Sequence, residues 1–166
     1  MTAPLAQRSP ARGLLPPIVS IALALAVGAI GGFATASNIP GWYAGVHKPP
    51  FNPPNAIFGP VWTTLYILMA LAAWRVWRVD TNARARRTAL GLYAVQLALN
   101  LAWSLIFFGL HRPGWAFGDI AVLFAAIIAT ALAFARVDRL AGAMLIPYAA
   151  WVAFAALLNF EIWRLN

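Results

Sequence analysis

Residues 88–110 have the sequence TALGLYAVQLALNLAWSLIFFGL, a mostly apolar stretch without a charged side chain. A helix needs about 20 such residues to cross the hydrocarbon core of a membrane, whereas a strand of a membrane barrel needs about 9 to 11. Apolar and polar residues do not alternate along the stretch. We therefore predict a transmembrane helix here rather than a barrel strand.

Four further stretches of the chain have the same character. The whole sequence is 63% hydrophobic and 10% charged, against roughly 45–50% and 25% in soluble domains. We predict an all-α integral membrane protein, a five-transmembrane-helix bundle formed by residues 18–166, preceded by a mobile N-terminal tail, residues 1–17. The predicted helices cover approximately residues 18–37, 57–79, 86–110, 114–136 and 139–162.

The net charge of +8 comes from basic residues that lie between the apolar stretches. Membrane topology explains this distribution better than a nucleic-acid site does, so no nucleic-acid partner is predicted. The positive-inside rule places the N-terminus in the cytoplasm if the protein lies in a bacterial inner membrane. The side predicted to be cytoplasmic carries Arg8, Arg12, Arg75, Arg78, Arg84, Arg86, Arg87, Arg136 and Arg139, and the other side carries Lys48, Arg112 and Arg164.

The first apolar stretch has two interpretations. Ala34-Thr35-Ala36 resembles a signal-peptidase site, but the preceding apolar run is longer than a typical signal core. We therefore predict that it is retained as a membrane helix. Small residues recur at every fourth position, at Ala24, Gly28, Gly32 and Ala36, which favours close packing against another helix.

Few residues in the sequence are typical of catalytic or metal sites. The chain has no cysteine, which excludes thiolate metal ligands and cysteine nucleophiles. No metal-binding or catalytic motif is present, so neither a metal site nor a catalytic residue is predicted from motifs. Asp119 is the only acid within the five apolar runs, which cover approximately residues 18–37, 57–74, 88–110, 114–135 and 140–158, and it is either a proton-coupling group or a residue at the membrane interface. His47 and His111 are either solvated or ligands of a haem iron.

Aromatic and amide side chains recur at helical spacing in three of the predicted helices. The third helix carries the stripe Tyr93, Gln96, Asn100, Trp103 and Phe107, the second carries Trp62, Tyr66 and Met69, and the fifth carries Pro147, Trp151, Phe154 and Leu158. These groups lie at similar predicted depth, in the less basic half of the membrane. They predict a pocket for a flat apolar ligand; the alternative is a packed aromatic core.

The connection of residues 38–56 contains more prolines than a simple turn between helices requires. We predict that it forms a rigid lid over the mouth of this pocket. Lys48 within it is a candidate partner for an acidic group of the ligand; the alternative is a solvated lysine at the membrane surface.

These residues together resemble the translocator protein family, whose members are also called tryptophan-rich sensory proteins or peripheral-type benzodiazepine receptors. The resemblance runs from Trp42 to the C-terminus. It is carried by Trp42-Tyr43-Ala44-Gly45, Lys48-Pro49, Pro53-Pro54, Gly59-Pro60-Val61-Trp62, Leu65-Tyr66, Gln96-Leu97-Ala98-Leu99-Asn100, Trp103, Phe107-Phe108-Gly109, Pro147-Tyr148, Trp151 and Leu158-Asn159.

The resemblance implies a five-helix membrane bundle, commonly a homodimer, that binds porphyrins such as protoporphyrin IX and haem, and also sterols or other lipids. It implies no required cofactor, since the porphyrin or haem is the ligand. Tryptophans matching Trp62 and Trp151 are associated in some members with light-dependent porphyrin breakdown, so a degrading enzyme is one alternative. A stress-response regulator acting through a partner protein is another. The implied ligand-lining positions are Trp62, Tyr66, Asn100, Trp103, Phe107, Pro147, Ala150, Trp151 and Phe154.

The sequence departs from the family pattern at three positions. Phe51 and Ala56 stand in the lid where the family often has tryptophan, and Phe160 stands where its sterol-recognition pattern has tyrosine. The first two changes affect how the lid fits a large macrocycle, and the third weakens the expectation of sterol recognition.

Overall fold

The computed structural model describes residues 11–79 and 81–166, and this part of the chain is helical apart from short connections. The helices are α1 (Ala11–Asn38), α2 (Asn55–Arg78), α3 (Ala83–Ser104), α4 (Pro113–Val137), α5 (Arg139–Ala143) and α6 (Ile146–Leu165). A π-helical turn (Ile39–Tyr43) continues α1, and another (Leu105–Gly109) continues α3.

Five helical segments of the described chain are long and apolar enough to cross a membrane, and the short α5 belongs to the last of them. They are Pro17–Tyr43, Asn55–Arg78, Ala83–Gly109, Pro113–Val137 and Arg139–Leu165. The predicted all-α, five-helix membrane fold is thereby confirmed. The ends of the last four segments lie within a few residues of the predicted ends.

The first helix and the lid differ most from the predicted bounds. Helix α1 begins at Ala11 rather than at residue 18, because an apolar run marks the membrane-embedded part of a helix and not where its backbone hydrogen bonds start. Residues 1–10 of the predicted tail lie outside the described residues. At the other end, helical conformation continues through Gly45 and leaves residues 46–54 as the lid, which is shorter than predicted. Pro40 lies within this continuous helix and has no backbone N–H to donate, which fits the change from α-helical to π-helical bonding at this point.

The helices pack so that the lid, the α3–α4 connection and the end of α6 lie at one end of the bundle, here called the lid side. Helix α3 packs most extensively on α4, α1 packs on α2, and α4 packs on α6. The core contains fully buried side chains from α2, α4 and α6, such as Met69, Phe134 and Tyr148. Four polar side chains are also buried in it: Gln96, Asn100, Thr130 and Asn159.

Asp138 fixes the tight turn between α4 and α5 on the side opposite the lid. Its Oδ1 accepts hydrogen bonds from the backbone N–H groups of Leu140 (2.9 Å) and Ala141 (3.1 Å). Its Oδ2 lies 2.8 Å from Nη2 of Arg75 on α2. Partial burial alone would raise the pKa of Asp138, but these hydrogen bonds and the guanidinium together hold the pKa below its usual value. One carboxylate therefore caps α5 and ties it to α2.

We expect Asp138→Ala to destabilise the protein by about 2 kcal/mol, because it removes a helix cap worth about 1 kcal/mol and an ion pair worth up to about 1 kcal/mol. Asp138→Asn, which keeps a capping oxygen, should cost roughly half as much. The stabilisation by the carboxylate is fully present above its unfolded-state pKa of about 3.9 and is lost as the pH falls through the lower folded-state pKa. Thermal unfolding in detergent should therefore show the parent and Asp138→Ala converging between about pH 5 and pH 2. A difference that does not depend on pH would contradict this role.

Candidate functional site

A cavity of about 570 Å³ lies in the lid-side half of the bundle between α1, α2, α3 and α6. Its size is in the range of cavities that bind small molecules. Called the main cavity here, it is lined by Leu25, Gly28, Ala29, Gly31, Gly32, Thr35, Ala36, Ile39, Tyr43, Asn55, Phe58, Gly59, Trp62, Thr63, Tyr66, Asn100, Trp103, Ser104, Phe107, Phe108, Ala155, Leu158, Asn159 and Ile162.

Five of the predicted ligand-binding residues meet at this cavity: Trp62, Tyr66, Asn100, Trp103 and Phe107. Trp62 and Tyr66 lie one turn apart on α2, with ring centroids separated by 5.8 Å. Trp103 stacks on Phe107 at 5.4 Å, since the π-helical turn that follows α3 carries Phe107 to the same wall. Aromatic rings from α2 and from the end of α3 thus line one void.

Two other predicted ligand-binding residues do not line the main cavity. The Nζ of Lys48 donates a hydrogen bond to the carbonyl of Val46 (3.1 Å) and lies 4.5 Å from the ring centroid of Tyr43. Gln96 is fully buried one turn below Asn100, with its Nε2 3.7 Å from Sδ of Met69. Lys48 therefore reaches the cavity only through Tyr43, a lining residue, and Gln96 belongs to the packed core below the cavity.

None of the predicted ligand-binding residues of the last helix lines the cavity, although Trp151 lies on the same face of α6 as the lining residues Ala155 and Leu158, one and two turns before them. Pro147 and Ala150 are exposed on the surface of the bundle. Trp151 packs against Phe58 (5.8 Å between centroids) and Phe154 (5.7 Å). The α6 side chains that line the cavity are instead Ala155, Leu158, Asn159 and Ile162.

Two of the three asparagines that line the main cavity, Asn100 and Asn159, have amide groups bonded to protein partners. The hydroxyl of Tyr66 donates to Oδ1 of Asn100, whose Nδ2 donates to the hydroxyl of Tyr148 (3.2 Å). Nε1 of Trp103 donates to Oδ1 of Asn159 (2.9 Å), whose Nδ2 donates to the carbonyl of Pro113 (2.7 Å). These bonds hold the walls in position and leave aromatic and apolar surface as the main contact offered to a ligand.

The α1 wall was not among the predicted site residues, although its signal was visible in the sequence. A Cβ atom at Gly28 would lie 2.5 Å from Cε2 of Tyr66, and one at Gly31 would lie 3.1 Å from Oγ of Ser104. Small residues on this face let α1 approach α2 and α3 while leaving void space beside them. The stripe that predicted helix packing therefore also lines the cavity.

The roof of the cavity is Tyr43, another residue that sequence reasoning missed. Its side chain is buried beside Phe108, with ring centroids 5.5 Å apart, and its hydroxyl donates to Oδ1 of Asn52 in the lid (3.1 Å). Asn166 holds the lid from the other side. Its Oδ1 accepts from the backbone N–H of His47 (3.0 Å) and its Nδ2 donates to the His47 carbonyl (3.1 Å).

The remaining titratable candidates lie away from the main cavity. His47 and His111 are exposed on the lid side, and Asp119 is partly buried on α4. None of the three is among the residues that line the cavity. The described residues contain no cluster of histidine and acidic side chains that could hold a metal ion.

Comparison with known proteins gives consistent matches over most of the chain. The model of the TspO/MBR family matches residues 20–164. The chain is 42% identical over 145 residues to the translocator protein of Sus scrofa, covering 84% of this chain and 86% of the relative. It is 40% identical over 151 residues to a tryptophan-rich protein TspO of Archaeoglobus fulgidus, covering 90% and 95%. A tryptophan-rich sensory protein of Cereibacter sphaeroides is 42% identical over 125 residues, covering 75% and 77%.

Proposed function

The chain belongs to the TspO/MBR family, as its motifs predicted, and from this premise we propose that it binds porphyrins, protoporphyrin IX and haem among them, in the main cavity. Family membership and the five apolar helices support a multi-pass membrane protein with a receptor or transport role. In this role the porphyrin is the molecule that the protein receives or transports, and the protein itself requires no cofactor.

The observation that carries the proposal is a void of about 570 Å³ bordered by aromatic rings of separate helices. Flat macrocycles gain free energy from stacking on such rings and from leaving water. Trp62, Trp103 and Phe107 supply the rings, while the amides of Asn100 and Asn159 are already bonded within the protein. A large apolar ring with few internal polar atoms is the ligand type that this composition favours.

The acidic groups of a porphyrin are expected at the lid-side mouth of the cavity. Lys48 lies above Tyr43, which is the roof, and a shift of its flexible side chain would bring its ammonium group to a carboxylate at the mouth. No histidine is among the residues lining the cavity. Haem would accordingly be held through its ring and carboxylates rather than through an iron–histidine bond.

Trp62→Ala tests the proposal against the matched control Trp151→Ala, since both remove a partly buried tryptophan but only Trp62 lines the cavity. We expect Trp62→Ala to weaken protoporphyrin IX binding about tenfold, because a lost stacking partner and its buried area cost more than about 1 kcal/mol. Trp151→Ala should change the affinity less than threefold. The measurement is a porphyrin absorbance titration of the protein in lipid nanodiscs. Equal affinities for parent and Trp62→Ala, with both proteins folded, would refute binding in this cavity.

Light-dependent porphyrin degradation is a second candidate, and one observation favours it. The indole of Trp62 lines the cavity, where an excited porphyrin would lie against it. Trp151 does not line the cavity and packs instead against Phe154 and against the lining residue Phe58. A degrading reaction would therefore depend on Trp62 more than on Trp151, and illumination of the complex, followed by a search for a bilin-like absorbance spectrum, distinguishes it from simple binding.

We also propose that the protein forms a homodimer and that its N-terminus is cytoplasmic in a bacterial inner membrane. Ala94 and Ala98 are exposed on the outer face of α3, where small residues allow the helix of a second copy to approach closely. The orientation rests on the excess of arginine at the helix ends that flank the α2–α3 and α4–α5 connections.

A further inference from the structure

A second cavity, of about 910 Å³, opens at the lid-side surface of the molecule. It lies where the π-helical turn after α1, the start of α4 and the end of α6 meet. The residues that line it are Trp42, Gly45, Val46, His111, Arg112, Pro113, Gly114, Trp115, Gly118, Ile162, Trp163 and Asn166.

A thin wall separates this second cavity from the main cavity. Ile162 lines both cavities, one on each side of its side chain. The ring of Trp42, on the second cavity, meets the ring of Phe107, on the main cavity, edge to face at 5.5 Å. The two cavities are therefore neighbouring but distinct sites.

Arg112 is the basic side chain of the lid side that has no protein partner in the described chain. Lys48 lies over the Tyr43 ring, and Arg164 is paired with Glu161 at 2.6 Å. The backbone of Arg112 is fixed, because its N–H donates to Ile106 (3.1 Å) and its carbonyl accepts from Ala116 (3.0 Å). Its guanidinium, in contrast, is exposed and takes part in neither of the two ion pairs found among the described residues.

His111 beside it is held in a strained conformation at the edge of the same cavity. Its φ of 55° lies in the left-handed region, and among the described residues other than glycine it alone has a positive φ. Two contacts hold it there: its ring stacks on Trp42 at 4.5 Å with an interplanar angle of 16°, and its Nε2 lies 2.9 Å from Oδ1 of Asn38. Strained residues that are held in place by their surroundings cluster at binding sites. Since Nε2 donates to Oδ1 of Asn38, the neutral ring presents Nδ1 as an acceptor for a hydroxyl group of a ligand.

The rest of the lining suits a molecule that is both anionic and apolar. Trp115 is 77% exposed and Trp163 is 49% exposed, so both offer ring surface at the level of the membrane interface. The residues that line the cavity include no aspartate or glutamate to compete for Arg112. The cavity also lies at the N-terminal end of α4, where the helix dipole favours negative charge.

We propose that the second cavity binds a phosphate-bearing anion, with the phosphate at Arg112, a hydroxyl group of the ligand at Nδ1 of His111 and any apolar part of the ligand against Trp115 and Trp163. An anionic phospholipid headgroup and a free phosphate present the same group to Arg112, and they differ in whether they use the tryptophan surface. The proposal does not depend on porphyrin binding in the main cavity.

The test is native mass spectrometry of the full chain in a non-ionic detergent, titrated with short-chain phosphatidylglycerol and, separately, with inorganic phosphate as competitor. We expect saturable binding of phosphatidylglycerol that Arg112→Gln weakens at least tenfold. Arg164→Gln, which removes a cation already paired with Glu161, is the matched control and should change the affinity less than twofold. Trp115→Ala should weaken the lipid but not inorganic phosphate. If inorganic phosphate displaces bound phosphatidylglycerol when the two occupy the site equally well, a free anion is the natural ligand. If phosphate does not displace the lipid, the lipid is the natural ligand.

Several results would overturn the proposal. These are equal binding of phosphatidylglycerol and phosphatidylcholine, equal losses in Arg112→Gln and Arg164→Gln, or no saturable binding at all. Thermal unfolding of each variant checks that the fold is retained. Protoporphyrin IX titrations of the same Arg112→Gln sample report on the main cavity separately, so that failure of one site is distinguishable from failure of the other.

Discussion

Gly28→Ala is expected to destabilise the protein by about 1–3 kcal/mol and to weaken porphyrin binding at least tenfold. The added Cβ would lie 2.5 Å from Cε2 and 2.7 Å from Cδ2 of Tyr66, so either α1 or the tyrosine ring must move. The ring cannot turn away freely, because its hydroxyl donates to Asn100. Moving α1 outward opens the bundle, and moving the ring breaks this hydrogen bond and fills part of the cavity. Both outcomes change the site in which we propose that the ligand binds.

Gly32→Ala is the matched control for this prediction. Gly32 lies one turn along the same helix and lines the same cavity, but a Cβ there would have no atom within 4 Å. The Gly32→Ala variant should be as stable as the parent or slightly more stable, since alanine has a higher helix propensity than glycine. Thermal unfolding in detergent and porphyrin titration in nanodiscs measure both variants. If Gly28→Ala and Gly32→Ala behave alike, close contact between α1 and Tyr66 is not what shapes the cavity.

The centre of the site was predictable from sequence because it lies on helices whose periodicity is simple. Trp62 and Tyr66 are one turn apart on α2, and Asn100, Trp103 and Phe107 follow the 3- and 4-residue spacing of a helix face on α3. The π-helical turn after Ser104 shifts the phase of this face only at its end, so Phe107 still lines the cavity. The residue spacing showed which side chains share one face of a helix. Their similar depth in the membrane showed which helix faces lie beside each other.

The rest of the site could not be predicted from the periodicity of the sequence, because it depends on how the helices pack and on local contacts. Trp151, Ala155 and Leu158 share one face of α6, and spacing does not tell how far along the helix the cavity extends, so it could not show that Ala155 and Leu158 line the cavity while Trp151 does not. Lys48 was a reasonable partner for an acid, but its attraction to the nearby Tyr43 ring is a local contact that a one-dimensional pattern does not reveal. The glycine pattern of α1 could be seen in the sequence. It did not show whether these residues pack closely against another helix or border a cavity, because small residues occur in both situations.

Asn100→Leu is the second substitution for which we expect a large effect, about 2–5 kcal/mol of destabilisation. Asn100 is buried, and its amide satisfies the hydroxyls of both Tyr66 and Tyr148. Removing it leaves two buried hydroxyls without a partner, each costing about 1–3 kcal/mol. Tyr148 has no exposed surface, so water cannot replace the lost bond there without local opening. Chemical unfolding in mixed detergent micelles measures the loss.

The triple variant Asn100→Leu, Tyr66→Phe, Tyr148→Phe separates the two roles that Asn100 can have. If the amide serves the two tyrosines, removing all three polar groups leaves nothing unsatisfied, and the triple variant should be more stable than Asn100→Leu alone. Porphyrin affinity should then recover to within about threefold of the parent, because the rings that border the cavity remain. A ligand held by the amide itself would stay weakly bound in the triple variant whatever its stability. Recovery of stability without recovery of affinity would therefore assign a polar group of Asn100 or Tyr66 to the ligand, with Tyr66→Phe alone distinguishing the two, and recovery of both would assign Asn100 to the walls of the cavity.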